Sequence, residues 1–168
     1  GYDDKDYTEE QLKVLAKNKE RNLAIMSQLR LLHLDKKPTI VFACSADHAK
    51  MLAAMLTLEG IPNSLVLGEM DPMDRKHAID VFKDKNSEVD IIINYEVLTT
   101  GFDSKNIKCV FITRPTKSIV LYSQMLGRGL RGPLMGGNEE CDLIDIDDNL
   151  QAFDNETAFS YFNDYWRV

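Results

Sequence analysis

The sequence predicts an α/β fold: a mainly parallel central sheet covered by helices on both faces, preceded by an N-terminal helical segment. Three observations carry this. Short apolar runs rich in β-branched residues recur from Thr39 to Ile146, the pattern of strands buried on both faces. Helical stretches with start and stop signals separate the earlier runs. The first 37 residues instead place leucines at helical spacing.

The elements follow in order. "TEEQ", Thr8 to Gln11, has the form of a capping box, and Leu12, Leu15, Leu23, Met26 and Leu29 continue as one bent helix or two. This lead-in, residues 1–37, reads as a linker or brace, and 38–168 as the main lobe with its tail. "TIVFACS" (39–45) is a strand. Ser45 then caps a helix running to about Glu59, and Gly60 fits its stop. "NSLVLG" (63–68) is a second strand. "DPMDRKHAIDVFKD" (71–84) is a helix with Asp71 as its cap and Pro72 in its first turn. "VDIIIN" (89–94) and "IKCVFIT" (107–113) are the third and fourth strands. A helix is expected from Ser118 to about Met125, a fifth strand at "CDLIDI" (141–146) and a last helical stretch between Gln151 and Trp166.

Composition sets limits. The chain has 168 residues, 44% hydrophobic and 28% charged, enough for one domain with a substantial core. No apolar stretch approaches the length of a membrane span, and no secretory or transit signal opens the chain. It starts on Gly1 rather than Met, as expected of a piece cut from a longer polypeptide. Cys44, Cys109 and Cys141 lie in or beside apolar runs without CxxC spacing. They read as small buried hydrophobes in a reducing cytoplasm. His33, His48 and His77 show no ligand spacing and read as surface or helix residues.

The net charge of −7 is unevenly spread. Residues 133–168 hold nine of the 27 acids and one of the 20 bases, leaving 18 acids and 19 bases in residues 1–132. A near-neutral body of this kind can hold a phosphate backbone with a few amides and cations, though weakly by itself. In the tail, "PLMGGNEE" (133–140) reads as a loop. Asp142, Asp145, Asp147 and Asp148 straddle a strand and alternate faces, which suits a solvated strand end and not a metal site. "AFSYFNDYW" (158–166) could stack bases or pack on the sheet.

Ligands of parallel sheets bind beyond the carboxyl ends of the strands, which draws attention to three stretches. In "QMLGRGLRG" (124–132), a continuing helix puts Gln124, Arg128 and Arg131 on one face. Gly127 and Gly129 suit close approach of a backbone or ligand, and two rigid guanidinium forks suit a triphosphate. A surface helix with solvated arginines and a glycine stop is the plain alternative, and the residues alone leave it open. "TTGFD" (99–103) offers hydroxyls and amides from Thr99 and Thr100, a turn at Gly101, and a carboxylate at Asp103 for a sugar hydroxyl or an arginine. "VFACS" (41–45) ends a strand in a serine that can cap a helix or touch a phosphate.

In this order and at these separations the three stretches resemble the second motor lobe of superfamily-two helicases and translocases. "VFACS" is similar to their motif IV, "NYEVLTTGFD" to motif V and "RPTKSIVLYSQMLGRGLRG" to motif VI, with its Gln-x-x-Gly-Arg-x-x-Arg core. The likeness covers roughly residues 38–148 and is greatest to the motors of type I and type III restriction enzymes and to DEAD/DEAH-like bacterial helicases. It implies a RecA-like three-layer α/β/α lobe of an ATP-dependent helicase. Arg128 and Arg131 would reach the γ-phosphate of ATP, one of them as the arginine finger, with Gln124 orienting the network. Gly101 and Asp103 would lie near the ribose and the arginines. Ser45 and Thr99 or Thr100 would touch the nucleic-acid backbone.

Two departures separate the chain from the DEAD-box branch. Tyr95 stands where those proteins carry threonine, and Gln124-Met125 stands where they carry His-Arg. They put the RNA-specific contacts of that branch in doubt, and nucleic acid is expected as partner, DNA ahead of RNA. The chain holds no GxxxxGK[ST] loop and no strand ending in Asp-Glu. ATP and Mg²⁺ are thus expected to be held mainly by a second, N-terminal lobe of the same polypeptide, and this lobe alone is expected to be inactive. No metal, no membrane and a cytoplasmic setting complete the expectation. A duplex-DNA translocase and a catalytically silent interaction module are the alternatives.

Overall fold

Asn18 divides the N-terminal helical run in two. In the computed structural model, which describes residues 8–95, 107–114 and 142–145, α1 spans Glu9–Ala16 and α2 spans Lys19–Leu34. Thr8 caps α1 in a complete capping box with Gln11, as "TEEQ" predicts. The Asn18 side chain accepts from the amide of Arg21 and starts α2.

β1 (Thr39–Phe42) follows, then α3 (Ala46–Leu58), β2 (Ser64–Leu67), α4 (Pro72–Lys83), β3 (Ile91–Tyr95), β4 (Cys109–Ile112) and β5 (Asp142–Asp145). Ser45 and Asp71 are the N-caps of α3 and α4, and Pro72 opens α4. Each observed strand lies inside its predicted run or differs at an end by one residue, because the ends turn into caps and loops. The expected helices near Ser118 and after Gln151 lie outside the described residues, as does Cys141.

All strand pairs are parallel, in the order β2-β3-β1-β4-β5. The chain therefore runs one way from β1 to the β2 edge and back again toward β5. Right-handed crossovers then put α3 and α4 on opposite faces. The packing agrees. Val41, Ile91, Ile93, Cys109 and Phe111 share a core with Leu52 and Leu56 of α3 and with Ile25, Met26, Leu29 and Leu32 of α2. Ile40, Ile92, Val110 and Ile112 alternate to the other face and are fully buried. There the Ser64 hydroxyl donates to Ala78 O of α4, at 2.8 Å. The fold is thus a three-layer α/β/α sandwich, and α2 belongs to one of its layers.

Two helices end in the same way. After α3, Gly60 takes φ 76° while Gly60 N donates to Thr57 O and Ile61 N to Leu56 O. After α2, Lys36 takes φ 52° while Lys36 N donates to His33 O and Lys37 N to Leu32 O. Both are paired-bond stops with a left-handed residue. The second uses a lysine, which a sequence does not advertise.

Candidate functional site

β1 lies between β3 and β4, and its last residue, Phe42, is in register with Asn94 and Ile112. The chain therefore leaves the three central strands at one edge, through Ala43–Ser45, Tyr95 and Thr113–Arg114. Among the residues singled out from the sequence, Ser45 is described. Thr99, Thr100, Gly101, Asp103, Gln124, Arg128 and Arg131 lie outside the described residues. Their segments begin at Tyr95 and Arg114, on either side of the Ser45 turn.

Ser45 has extended backbone and its Oγ accepts from the amide of His48 at 3.0 Å. Its cap role is therefore real. The hydroxyl hydrogen is not used in that bond and can be donated to an anion, since Ser45 is half-buried and at the N-terminal, electropositive end of α3.

The residue before it is held from below. Cys44 N donates to His48 Nδ1 at 3.1 Å. A backbone amide has only a hydrogen to offer, so Nδ1 carries none and the imidazole hydrogen is on Nε2. Nε2 then donates to Asn22 Oδ1 at 2.9 Å, and Asn22 Nδ2 donates to Ala16 O at 2.7 Å. Each bond of the relay has one possible direction, and Asn22 and His48 are both buried. Burial, and secondarily the charge of Arg21, lower the His48 pKa to about 4. The neutral ring is what this geometry requires.

Arg21 makes a second tie from α2. Its Nη1 approaches Cys44 Sγ at 3.4 Å and its Nη2 donates to Thr113 O. Thr113 returns to β1 through its hydroxyl, which donates to Phe42 O at 2.7 Å. On the other side of β1, Asn94 Nδ2 donates to Val41 O at 2.9 Å. The guanidinium of Arg114 stands 5.8 Å from the ring centre of Tyr95, within cation–π range. The ends of β3, β1 and β4 are thus cross-tied by side chains rather than left as free loops.

Sequence reading placed the histidines on surfaces or helices without a role. His48 is on a helix, but buried and central to the edge. Two signals pointed to it. It stands three residues after a capping serine, and Asn22 interrupts the apolar row that Ile25, Met26, Leu29 and Leu32 continue. Cys44 and Cys109 are buried. Among the described residues, no group of histidine, cysteine or acidic side chains could hold a metal ion, and no helix is long and apolar enough to cross a membrane.

Comparison with known proteins bears on this edge. Residues 20–132 match the family described as "Helicase conserved C-terminal domain". The match begins inside α2. A similar protein, "Putative ATP-dependent helicase IRC3" of Saccharomyces cerevisiae, is 34% identical over 110 residues, 66% of this chain and 15% of its own length. The chain thus spans a small part of that relative. Among solved structures, "The fragment structure of a putative HsdR subunit of a type I restriction enzyme from Vibrio vulnificus YJ016" is similar with a TM-score of 0.67 and 22% identity, over 89% of this chain and 31% of that one. S. cerevisiae Dbp5 bound to RNA and ADP BeF3 is similar with a TM-score of 0.59 and 19% identity, over 94% and 37%. At these identities the structures speak for the fold.

Proposed function

The chain belongs to the helicase conserved C-terminal domain family, and from that premise we propose that it is the C-terminal motor lobe of an ATP-dependent nucleic-acid helicase or translocase. In this reading Arg128 and Arg131 meet the γ-phosphate of ATP bound by an N-terminal lobe of the same polypeptide. Gln124 orients them, and Gly101 and Asp103 lie beside the ribose. Ser45, Thr99 and Thr100 hold the nucleic-acid backbone without reading its sequence. Mg²⁺ and the α- and β-phosphates belong to the other lobe, so this chain alone hydrolyses no ATP. ATP bridges the lobes because the two guanidinium groups find their compensating charge on the γ-phosphate. Hydrolysis removes that contact, the cleft opens, and two separate grips on the backbone turn opening and closing into movement along the strand.

One observation carries the reading. Phe42 of β1 is flanked in register by Asn94 of β3 and Ile112 of β4. The segment with Thr99–Asp103 and the segment with Gln124–Arg131 therefore start from the strands on either side of Ser45, at the sheet edge where such folds take their ligands. The cytoplasmic expectation rests only on the reduced thiols.

The test uses the full-length polypeptide. Arg131→Ala and Arg128→Ala are both expected to lower ATP hydrolysis, one of them by about 10³-fold or more, as loss of an arginine finger does. A rate near wild type in both would refute the assignment. DNA is proposed ahead of RNA because Tyr95 stands where DEAD-box proteins carry threonine, which departs from the pattern of that RNA-acting branch. Stimulation of hydrolysis by poly(dT) above poly(U) is the expected result. The likeness of the three sequence stretches to restriction-enzyme motors supports a second reading, movement on duplex DNA without unwinding. Triplex displacement without strand displacement would select it.

A further inference from the structure

We propose that Asn22 and His48 are positioning residues for the Cys44–Ser45 turn, so that α2 sets how firmly this lobe holds a nucleic-acid backbone. The proposal rests on the reading above for the role of Ser45; the relay itself does not. The chain of donors runs from Cys44 N to His48 Nδ1, from His48 Nε2 to Asn22 Oδ1, and from Asn22 Nδ2 to Ala16 O. It starts at the residue before Ser45 and ends in the last turn of α1. The amide of Cys44 fixes the tautomer, the tautomer fixes the amide orientation of Asn22, and that orientation turns Nδ2, which also reaches Met51 Sδ at 4.0 Å, toward Ala16 O. A shift of α2 relative to the sheet would leave several buried polar groups unpaired at once, so the turn moves with α2 or not at all.

Position in the chain adds to this. Arg21, the neighbour of Asn22, holds Thr113 O at the end of β4. Two adjacent residues of α2 thereby grip the ends of two adjacent strands, one leading into Ser45 and the other into the segment that bears Arg128 and Arg131. Through these two residues α2 is tied to the exits of β1 and β4.

The experiment separates the two bonds of His48 in the full-length protein. Asn at 48 supplies an acceptor where Nδ1 stood and keeps Cys44 N paired, whereas Gln supplies a donor where Nε2 stood and gives Cys44 up. With poly(dT) and poly(U) as probes, His48→Gln is expected to raise the concentration for half-maximal ATP hydrolysis about tenfold, with the rate at saturation changed less than about twofold. His48→Asn keeps Cys44 N paired but cuts the tie to Asn22, and is expected to shift the half-saturation in the same direction by less, about threefold. Asn22→Ser breaks the relay one bond further away and is expected to shift in the same direction, so it decides if His48→Gln does not fold. Hydrogen exchange of the peptide over residues 42–48 is expected to quicken in His48→Gln and not in His48→Asn. Equal half-saturation in all variants, or a fall in the saturating rate as large as the shift, overturns the proposal. A wild type stimulated by neither polynucleotide nor by duplex DNA refutes the motor reading and with it the nucleic-acid half of the proposal. Exchange that does not differ between the two His48 variants refutes the relay itself.

Discussion

His33 Nδ1 lies 3.0 Å from Asp90 Oδ1 and joins the last turn of α2 to the residue before β3, at the sheet edge opposite Ser45. An ionised carboxylate only accepts, so Nδ1 carries the hydrogen and donates it. Burial pushes the Asp90 carboxyl above its ordinary 3.8, and the His33 hydrogen bond pulls the other way without winning. An acid whose pKa is raised by folding favours the native state when protonated, so its contribution to stability falls as pH rises above 3.8 through the raised value. His33→Ala removes both downward pulls its side chain supplies, the hydrogen bond and the charge, and leaves a half-buried carboxylate short of a donor. A loss of about 1–3 kcal/mol near pH 7 is expected, shrinking as pH falls through the raised value and Asp90 takes its proton. Urea unfolding of both proteins at the two ends of that range checks it.

His48 gives the opposite slope. Its pKa falls from an ordinary 6.5 to about 4 in the fold, so the unfolded chain binds the extra proton between those values. The stability tied to the neutral ring is complete above pH 6.5 and is lost as pH drops toward 4, by about 3 kcal/mol at the end of the window. Thermal unfolding of wild type against His48→Asn across pH 7 to pH 4 isolates this from other carboxylates. The variant is expected to lose less stability on acidification, and parallel curves would show that the ring takes its proton without strain.

Much of this architecture was legible because it rests on local rules. Thr8, Ser45 and Asp71 announced their helices by chemistry that satisfies free amides next in sequence. The isoleucine run at 91–93 announced a strand buried on both faces. What stayed hidden depends on distant partners. Whether the N-terminal run was one helix or two turned on Asn18, a weak signal in a polar stretch. The packing of α2 on the sheet could be suspected from Ile25, Met26, Leu29 and Leu32, but which layer they joined is a matter of topology. Arg21, Asn22 and His48 have no motif. Asn22 and His48 are 26 positions apart, and only the fold makes them neighbours.

The two helix stops offer a paired test. A Cβ added at Gly60 meets nothing within 4 Å, so Gly60→Ala costs only the left-handed backbone, about 1 kcal/mol. Lys36 already bears that cost at φ 52°. Lys36→Gly is expected to relieve it and, after the added freedom of the unfolded chain, to raise stability by up to about 1 kcal/mol. Opposite shifts in urea midpoint for the two variants are the expected outcome; destabilisation by both would mean that the Lys36 side chain contributes more than its backbone costs.

Leu29 probes whether α2 is part of the lobe or an appendage. It is fully buried in the core that includes Val41, Leu52 and Ile93. Leu29→Ala is expected to cost about 2–5 kcal/mol in a single cooperative transition. A separate early transition, with the remaining unfolding unchanged, would mean that α2 detaches without disturbing the sheet, and would remove the mechanical basis for a tie between α2 and the Ser45 turn.

Ser45 and Asp71 allow cap and contact to be told apart. Both start helices that follow strands of the same sheet: Ser45 Oγ accepts from His48 N at 3.0 Å, and Asp71 Oδ1 accepts from Met73 N at 2.8 Å. As caps they are equivalent, and replacement of either by alanine is expected to cost about 1 kcal/mol of stability. They differ in place. Ser45 follows the central β1, between the exits of β3 and β4, whereas Asp71 follows β2 at the margin of the sheet. Only the Ser45 hydroxyl has its hydrogen left to give to a phosphate. Ser45→Ala in the full-length protein is therefore expected to weaken polynucleotide binding about tenfold beyond its effect on folding, and to do so alike for every sequence, because a backbone contact carries no base information. Asp71→Ala is expected to leave binding alone. Equal binding by the two variants at matched stability would reduce Ser45 to a cap and move the backbone contact elsewhere on the edge.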